Sequence, residues 1–333
     1  MHVLILGAAG MIGRKLAEAL GRTPVVGSHG ITRLTLADVV LPAAPPGLED
    51  RTDCLIADLG QPGEAARMAA LRPDVVFHLA AIVSGDAEAN LEKGYRINLD
   101  GTRALFDALR LNGADGARPK VIFASTNAVF GGDMPDVIGD DYLLTPQTSY
   151  GTQKAMCELL LADYTRRGLL DGIGLRLPTI CVRPGKPNLA ASGFFSNIIR
   201  EPLVGQEAIL PVGEDVRHWM TSPRSAVSFF LHAATLDPAA LGGRPNLTMP
   251  GLSVTVGEQI EALRKIAGPR AVALIRREPD PLIQRIVTGW ARAFDPARAR
   301  ALGFVAEAAF EDIIQAHIDD ELGGEQPGLR RAS

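Results

Sequence analysis

The chain is poor in the residues that staple, clip or anchor a fold. It has 3 cysteines in 333 residues, Cys54, Cys157 and Cys181, odd in number and far apart. That usage argues against a disulfide framework or a metal site and predicts three buried thiols in a reducing cytosol. The 6 histidines show no H-E-x-x-H or similar ligand spacing, so no metal is expected. Excess charge is also missing: 34 Lys and Arg against 38 Asp and Glu leave −4 at pH 7. Neither nucleic acid nor an anionic membrane surface is an expected partner. No apolar run reaches the roughly 18 residues of a membrane span. The first residues lack the basic segment of a signal peptide. A soluble, cytoplasmic protein is expected.

What is present is apolar residue, 47% of the chain, enough for a sizeable core in one large domain or two lobes. Val3-Leu4-Ile5-Leu6 reads as a buried strand and runs into Gly7-Ala8-Ala9-Gly10-Met11-Ile12-Gly13. Ile12, Leu16, Ala19 and Leu20 then share one helical face. A strand turning through glycines into a helix is a dinucleotide-binding unit. Gly7 makes the turn, Gly10 admits a pyrophosphate, and Gly13 lets helix pack on strand. The helix N-terminus faces the phosphates. Leu34 to Asp38 is a second strand ending in a carboxylate suited to a ribose diol. Asp38 would repel a 2′-phosphate, so the cofactor expected is NAD.

Further strands are predicted at Cys54–Leu59, Val75–Ala81, Val121–Ser125 and Ile173–Leu177, with helical segments between. Continuous apolar strands alternating with helices predict an α/β fold, a doubly wound parallel (Rossmann) sheet. Past Pro178 the pattern loosens into Pro, Gly and Arg. Helical periodicity returns near 224–236, 257–267, 281–293 and 307–320, with strand candidates at Asn246–Met249 and Val272–Ile275. The division expected is a dinucleotide-binding domain over 1–177, a smaller irregular substrate lobe over 178–322, and a disordered tail over 323–333.

Tyr150 and Lys154 stand at i and i+4, one turn apart on a helix face. An ammonium near a phenol is expected to draw the Tyr pKa toward neutrality, which would let it take a proton from an alcohol. With GAAGMIG, Asp38, Asp58-Leu59, His78-Leu79-Ala80-Ala81, Asn98, Ser125-Thr126 and Tyr150-x-x-x-Lys154 in this order, the chain resembles the extended short-chain dehydrogenase/reductases. That group contains nucleotide-sugar epimerases and dehydratases. The resemblance covers about residues 1–185. It implies that Met11, Ile12, Asp58, Leu59, Leu79, Ala80, Ala81, Asn98 and Pro178 also line the cofactor. It implies that Lys154 binds the nicotinamide ribose, and that Thr126, or its neighbour Ser125, holds the reacting oxygen. The helix of Tyr150 and Lys154 pairs across homodimers in many such proteins. Where the dehydratases carry Thr-Asp-Glu, this chain has Thr126-Asn127-Ala128, which argues against dehydration.

The segments Arg183–Asn188, 191–202 and Arg217–Arg224 resemble a branch of that family that oxidises a four-carbon sugar acid at C2. A small acid needs a cationic clamp. Arg217 is the first candidate and Arg183 the second. The leading expectation is an NAD-dependent dehydrogenase of a short polyhydroxy acid, its partners small molecules. A nucleotide-sugar epimerase holding NAD tightly and a non-catalytic NAD sensor are the alternatives.

Overall fold

The computed structural model describes residues 1–112, 118–185 and 191–325. In chain order its principal elements are β1 (His2–Leu6), α1 (Met11–Arg22), β2 (Arg33–Asp38), β3 (Thr52–Ile56), α2 (Glu64–Ala69) and β4 (Val75–His78). Then follow α3 (Gly101–Asn112), β5 (Lys120–Thr126), α4 (Ser149–Arg166), β6 (Asp171–Leu177), β7 (Thr179–Ile180) and α5 (Gly193–Leu203). The last are β8 (Arg217–Thr221), α6 (Pro223–Thr235), β9 (Asn246–Thr248), β10 (Leu252–Thr255), α7 (Val256–Val272) and α8 (Phe310–Glu321).

Seven strands form one parallel sheet in the order β9-β6-β5-β4-β1-β2-β3. The order reverses between β1 and β4, which opens the crevice typical of doubly wound sheets at their carboxyl edge. Both faces are covered. Val3 and Ile5 point into one core with Leu16, Leu20 and Phe230 of α1 and α6. Leu4 and Leu6 point into another with Met68, Phe106 and Leu161 of α2, α3 and α4. This is why β1 is apolar without alternation.

A second body of core gathers Phe195, Ile198, Met220, Ile260 and Ile313. It joins α5, α7 and α8 to a small sheet in the order β7-β8-β10. Helix boundaries follow local chemistry. Thr148 caps α4 by accepting from Gly151 N at 3.1 Å. Ser222 caps α6, with Pro223 in its first turn.

The structure departs from the sequence pattern in four places. First, residues 223–249 return to the main sheet. The α6 residue Phe230 packs edge-on against Phe77 of β4 at 6.4 Å, and β9 pairs with β6 through Leu247 opposite Leu175. A boundary drawn at 178 assigns these segments to the small lobe because the chain leaves the sheet and comes back. Second, β3 stops at Ile56 and β4 at His78, so Asp58, Leu59 and Leu79–Ala81 lie beyond the ladder at the sheet's rim. Third, Val272 closes α7, and the strand expected there begins at Ile275. Fourth, Cys157 and Cys181 are buried as expected, but Cys54 is only half-buried because β3 is the outermost strand of the sheet. Residues 326–333 of the tail and Lys186–Asn188 of the basic segment lie outside the described residues.

The placement of β9 is testable. Leu247 is fully buried, and Leu247→Ala is expected to cost about 2–5 kcal/mol in urea unfolding. The Leu247 amide should exchange hydrogen as slowly as core amides of β6, whereas loop-like exchange would remove β9 from the sheet.

Candidate active site

The glycine turn sits at the rim between β1 and β4. Gly7 has φ of +85°, and a Cβ there would lie 2.7 Å from Ala80 N. A Cβ on Gly13 would lie 2.2 Å from Gly7 O. Only glycine meets both constraints. Gly10 is the N-cap of α1 and offers no side-chain cap, and the first turn holds no acidic residue. The helix N–H groups are therefore left for an anion.

Beside this turn lies a cavity of about 600 Å³, lined by Gly7, Gly10, Asp38, Asp58 and Leu59, and on its other wall by Leu79, Ala80 and Ala81. Asp38 accepts from Ala9 N at 2.9 Å and Val39 N at 2.7 Å. A carboxylate has about four acceptor positions, so room remains for a ribose diol. Asp58 accepts from Gly60 N at 2.9 Å and Gln61 Nε2 at 3.1 Å. This donor set, cradle and volume fit a dinucleotide.

Leu79 and Ala81 also line a second cavity of about 400 Å³, with Met11, Ile12, Ser125, Tyr150, Lys154 and Arg183. The two spaces thus share a wall. Three expected cofactor residues line neither. Gly13 lies under the turn, where its missing side chain lets α1 approach Gly7 O and Ala8. Pro178 is buried between Leu177 and Thr179. Asn98 is 1% exposed. It accepts from Ile82 N at 2.9 Å and donates to Gln153 Oε1 at 2.8 Å. Its amide ties the rim loop after β4 to α4 instead of facing the cleft.

Tyr150 and Lys154 meet the second cavity from α4. Lys154 donates to Ala124 O at 2.8 Å, and its Nζ stands 4.6 Å from the Phe123 ring centre and 5.8 Å from that of Tyr150. Burial pushes the lysine down to about 8. The i, i+4 spacing predicts a lowered tyrosine pKa, but here burial pushes the phenol up to about 12, and the cation that pulls it back is Arg183. Lys154 is turned to the β5 backbone, which explains the difference.

Ser125 lines the second cavity and Thr126 does not. Ser125 Oγ donates to Glu158 Oε1 at 2.5 Å. Thr126 Oγ1 accepts from Ala128 N at 3.1 Å. Sequence reasoning missed what lies behind the serine. Glu158 is fully buried and receives Arg176 Nε at 3.1 and 3.0 Å and Nη2 at 2.7 Å. The available signal was two lone, opposite charges in apolar elements, Glu158 between Cys157 and Leu159, and Arg176 between Leu175 and Leu177.

The arginines separate clearly. Arg217 opens β8, donates to Ser253 O at 2.8 Å and pairs with Glu258 at 3.4 Å. It does not line the cavity, so the first candidate for the clamp is corrected. Its side chain is spent on the neighbouring strand β10 and on the first turn of α7. Arg183 lines the cavity, with Nε donating to Ile180 O at 3.0 Å and Nη2 to Ser192 Oγ at 3.1 Å. Among the described residues it has no acidic partner. A guanidinium carries five N–H donors, so three make no bond to a described residue. Arg200, not anticipated, also lines the cavity but is paired to Glu201 at 2.5 Å.

Among the described residues no group of His, Cys, Asp or Glu is arranged to hold a metal, and no helix is long and apolar enough to cross a membrane.

Residues 3–236 match the model of the NAD dependent epimerase/dehydratase family. The chain is 46% identical to a D-erythronate dehydrogenase of Cupriavidus necator, over 96% of this chain and 98% of that one. It is 43% identical to a D-erythronate dehydrogenase of Haemophilus influenzae, over 97% and 100%. A solved structure described as a nucleoside-diphosphate-sugar epimerase from Agrobacterium tumefaciens superimposes with a TM-score of 0.96 at 62% identity, over 98% and 96%.

Asp38→Ala is expected to reduce the preference for NAD over NADP, chiefly by removing the like-charge repulsion against a 2′-phosphate. Dissociation constants for both dinucleotides check this; an unchanged ratio would place the ribose elsewhere.

Proposed function

We propose a function from the premise that the chain belongs to the NAD dependent epimerase/dehydratase family: it oxidises a small polyhydroxy acid, D-erythronate, at its C2 hydroxyl. The observation that carries this reading is the shared cavity of Tyr150 and Arg183. One wall offers a proton-accepting phenol, and another an arginine that, among the described residues, keeps donors to spare and has no acid to neutralise it. A buried carboxylate needs such a partner. The relatives in Cupriavidus necator and Haemophilus influenzae, aligned end to end with this chain, support the choice of acid.

NAD, when bound in the rim cleft, supplies the acceptor for the C2 hydrogen and its electron pair. The protein's own residues do the rest. Tyr150, ionised, takes the hydroxyl proton. Lys154, fixed on Ala124 O, holds positive charge near the site and would bind the nicotinamide ribose. Thr126 or Ser125 contacts the substrate oxygens. Arg183 holds the carboxylate and so sets which carbon faces the cleft. Asn98 acts indirectly, by fastening the rim loop to α4.

The description of the Agrobacterium structure favours a second reading, a nucleotide-sugar epimerase. An epimerase returns its reducing equivalents to the substrate, so it makes no net NADH. Net NADH from NAD and D-erythronate supports the dehydrogenase. Interconversion of sugar nucleotides without net NADH would replace it.

Two further outcomes are expected. Tyr150→Phe should lower kcat by ~10²–10⁴-fold with NAD affinity nearly intact; substantial residual turnover would exclude Tyr150 as the base. Arg183→Ala should lower kcat/KM for the acid roughly ten- to a hundredfold, while Arg217→Ala stays close to wild type. The rate should rise with pH, because the base works ionised and burial raises its pKa. Arg183→Ala should move that rise to higher pH, since the lost cation favours the phenolate. An equal loss in both arginine variants would contradict the assignment of the clamp.

A further inference from the structure

A hydroxyl has one proton to donate and two lone pairs with which to accept. In Ser125 the proton is already placed. It goes to Glu158 Oε1 at 2.5 Å. Both oxygens of Glu158 receive guanidinium N–H bonds from Arg176, so the carboxylate acts as an acceptor and has no proton to return. The arrangement is locked. Glu158 is fully buried, Arg176 is 9% exposed, and its guanidinium stands 5.2 Å from the Phe130 ring centre. Ser125 is 3% exposed and lines the cavity of Tyr150 and Arg183. A ligand group that meets this hydroxyl therefore meets an acceptor.

We propose that Ser125 is a specificity-determining acceptor that receives a hydrogen bond from the substrate hydroxyl next to the reacting carbon, with Glu158 and Arg176 as the positioning residues that hold its proton away. The proposal rests on the reading of the substrate as a polyhydroxy acid. The reacting C2 hydroxyl has one proton, and that proton leaves to Tyr150, so it does not serve Ser125. The C3 hydroxyl has a proton free. Thr126 is the complementary group. Its Oγ1 accepts from Ala128 N, and its own O–H donates to no described residue. Thr126 does not line the cavity in this structure; it stands at the strand end beside Ser125, and a contact of its O–H with the C2 oxygen is what the Thr126→Ala arm of the test reads. The two adjacent hydroxyls thus have opposite polarity, Ser125 with its proton already placed and Thr126 with a lone pair already used.

The consequence is selectivity against acids that lack the C3 hydroxyl. Such an acid would leave a nearly buried oxygen without a donor, which a site built around hydrogen bonding penalises. The acceptor bond is present in the bound substrate as well as in the transition state, so its loss falls mainly on KM.

The test compares D-erythronate with 2,4-dihydroxybutanoate, its 3-deoxy analogue, in the wild type, Ser125→Ala and Thr126→Ala. The wild type should favour D-erythronate about ten- to a hundredfold in kcat/KM. Ser125→Ala should bring the ratio near unity, raising KM for D-erythronate and leaving kcat largely intact. Thr126→Ala should lower kcat on both acids and keep the ratio. Melting temperatures and NAD affinity verify that each variant folds. If Ser125→Ala lowers kcat equally on both acids, the serine holds the reacting oxygen and the proposal is overturned. It is likewise overturned if Thr126→Ala is the variant that collapses the ratio. A wild type equally active on both acids rejects the acceptor role while sparing the substrate reading. A wild type that makes NADH from neither acid rejects the substrate reading, and the proposal falls with it.

Discussion

A parallel sheet buried on both faces leaves no side-chain position for polar chemistry except at its ends. Val3, Leu4 and Ile5 are fully buried on alternating sides of the sheet, and neighbouring strands are closed in the same way. The reacting and binding groups therefore collect where the ladders stop. β3 and β4 end early at Ile56 and His78, and the residues released there become the walls of the cofactor cleft. The close approach of Gly7 to Ala80 marks where the two halves of the sheet part. A side chain at Gly7 would have to displace backbone that also forms the cleft, so the fold and the cofactor site share one steric constraint.

Lys154, Glu158 and Arg176 break the rule, since they carry charge into the covered sheet. Tyr150, Lys154 and Glu158 recur every fourth residue of α4, a single stripe on one helix face. Burying an ion pair such as Glu158 with Arg176 gains little stability over apolar packing, while removing one partner is costly, about 3–5 kcal/mol. The pair is best understood through what it orients. It fixes the polarity of Ser125, just as the Ala124 carbonyl fixes the position of Lys154. Asn98 works in the same way from the other side, coupling the loop at Ile82 to Gln153, the neighbour of Lys154.

Six strands, the glycine turn and the Tyr150–Lys154 helix were legible from sequence, because each rests on local periodicity or on a local steric demand. What was not legible depends on contacts between distant segments. β9 is three residues long and joins β6 from some 70 positions away, so nothing local marks it as part of the main sheet. Arg183 and Arg217 both sit in basic, loosely patterned segments, and the sequence ranks Arg217 first although of the two it is Arg183 that lines the cavity. The difference is made by Glu258, which follows the cap of α7 and neutralises Arg217. The tyrosine pKa fails for a related reason. Spacing along a helix says that two side chains share a face, but not that one of them turns away to a strand carbonyl.

The same contacts suit Arg183, an arginine held partly by its own protein, to the clamp proposed for it. Two of the five Arg183 donors are tied to Ile180 O and Ser192 Oγ, which fixes the plane of the guanidinium before substrate arrives. The remaining fork then needs no reorganisation to meet a planar carboxylate, whereas a lysine would present a mobile point charge. That rigidity has an electrostatic consequence. Arg183 is also the cation that favours ionised Tyr150, so a bound carboxylate offsets part of its pull on the base. The buried Lys154 ammonium meets no carboxylate of the described residues within hydrogen-bond reach, and in the proposed reaction it is the charge that substrate binding does not neutralise. In the proposed reaction two cations thus divide the work, Arg183 holding the acid and Lys154, its Nζ 5.8 Å from the Tyr150 ring centre, keeping positive charge near the site while the acid is held.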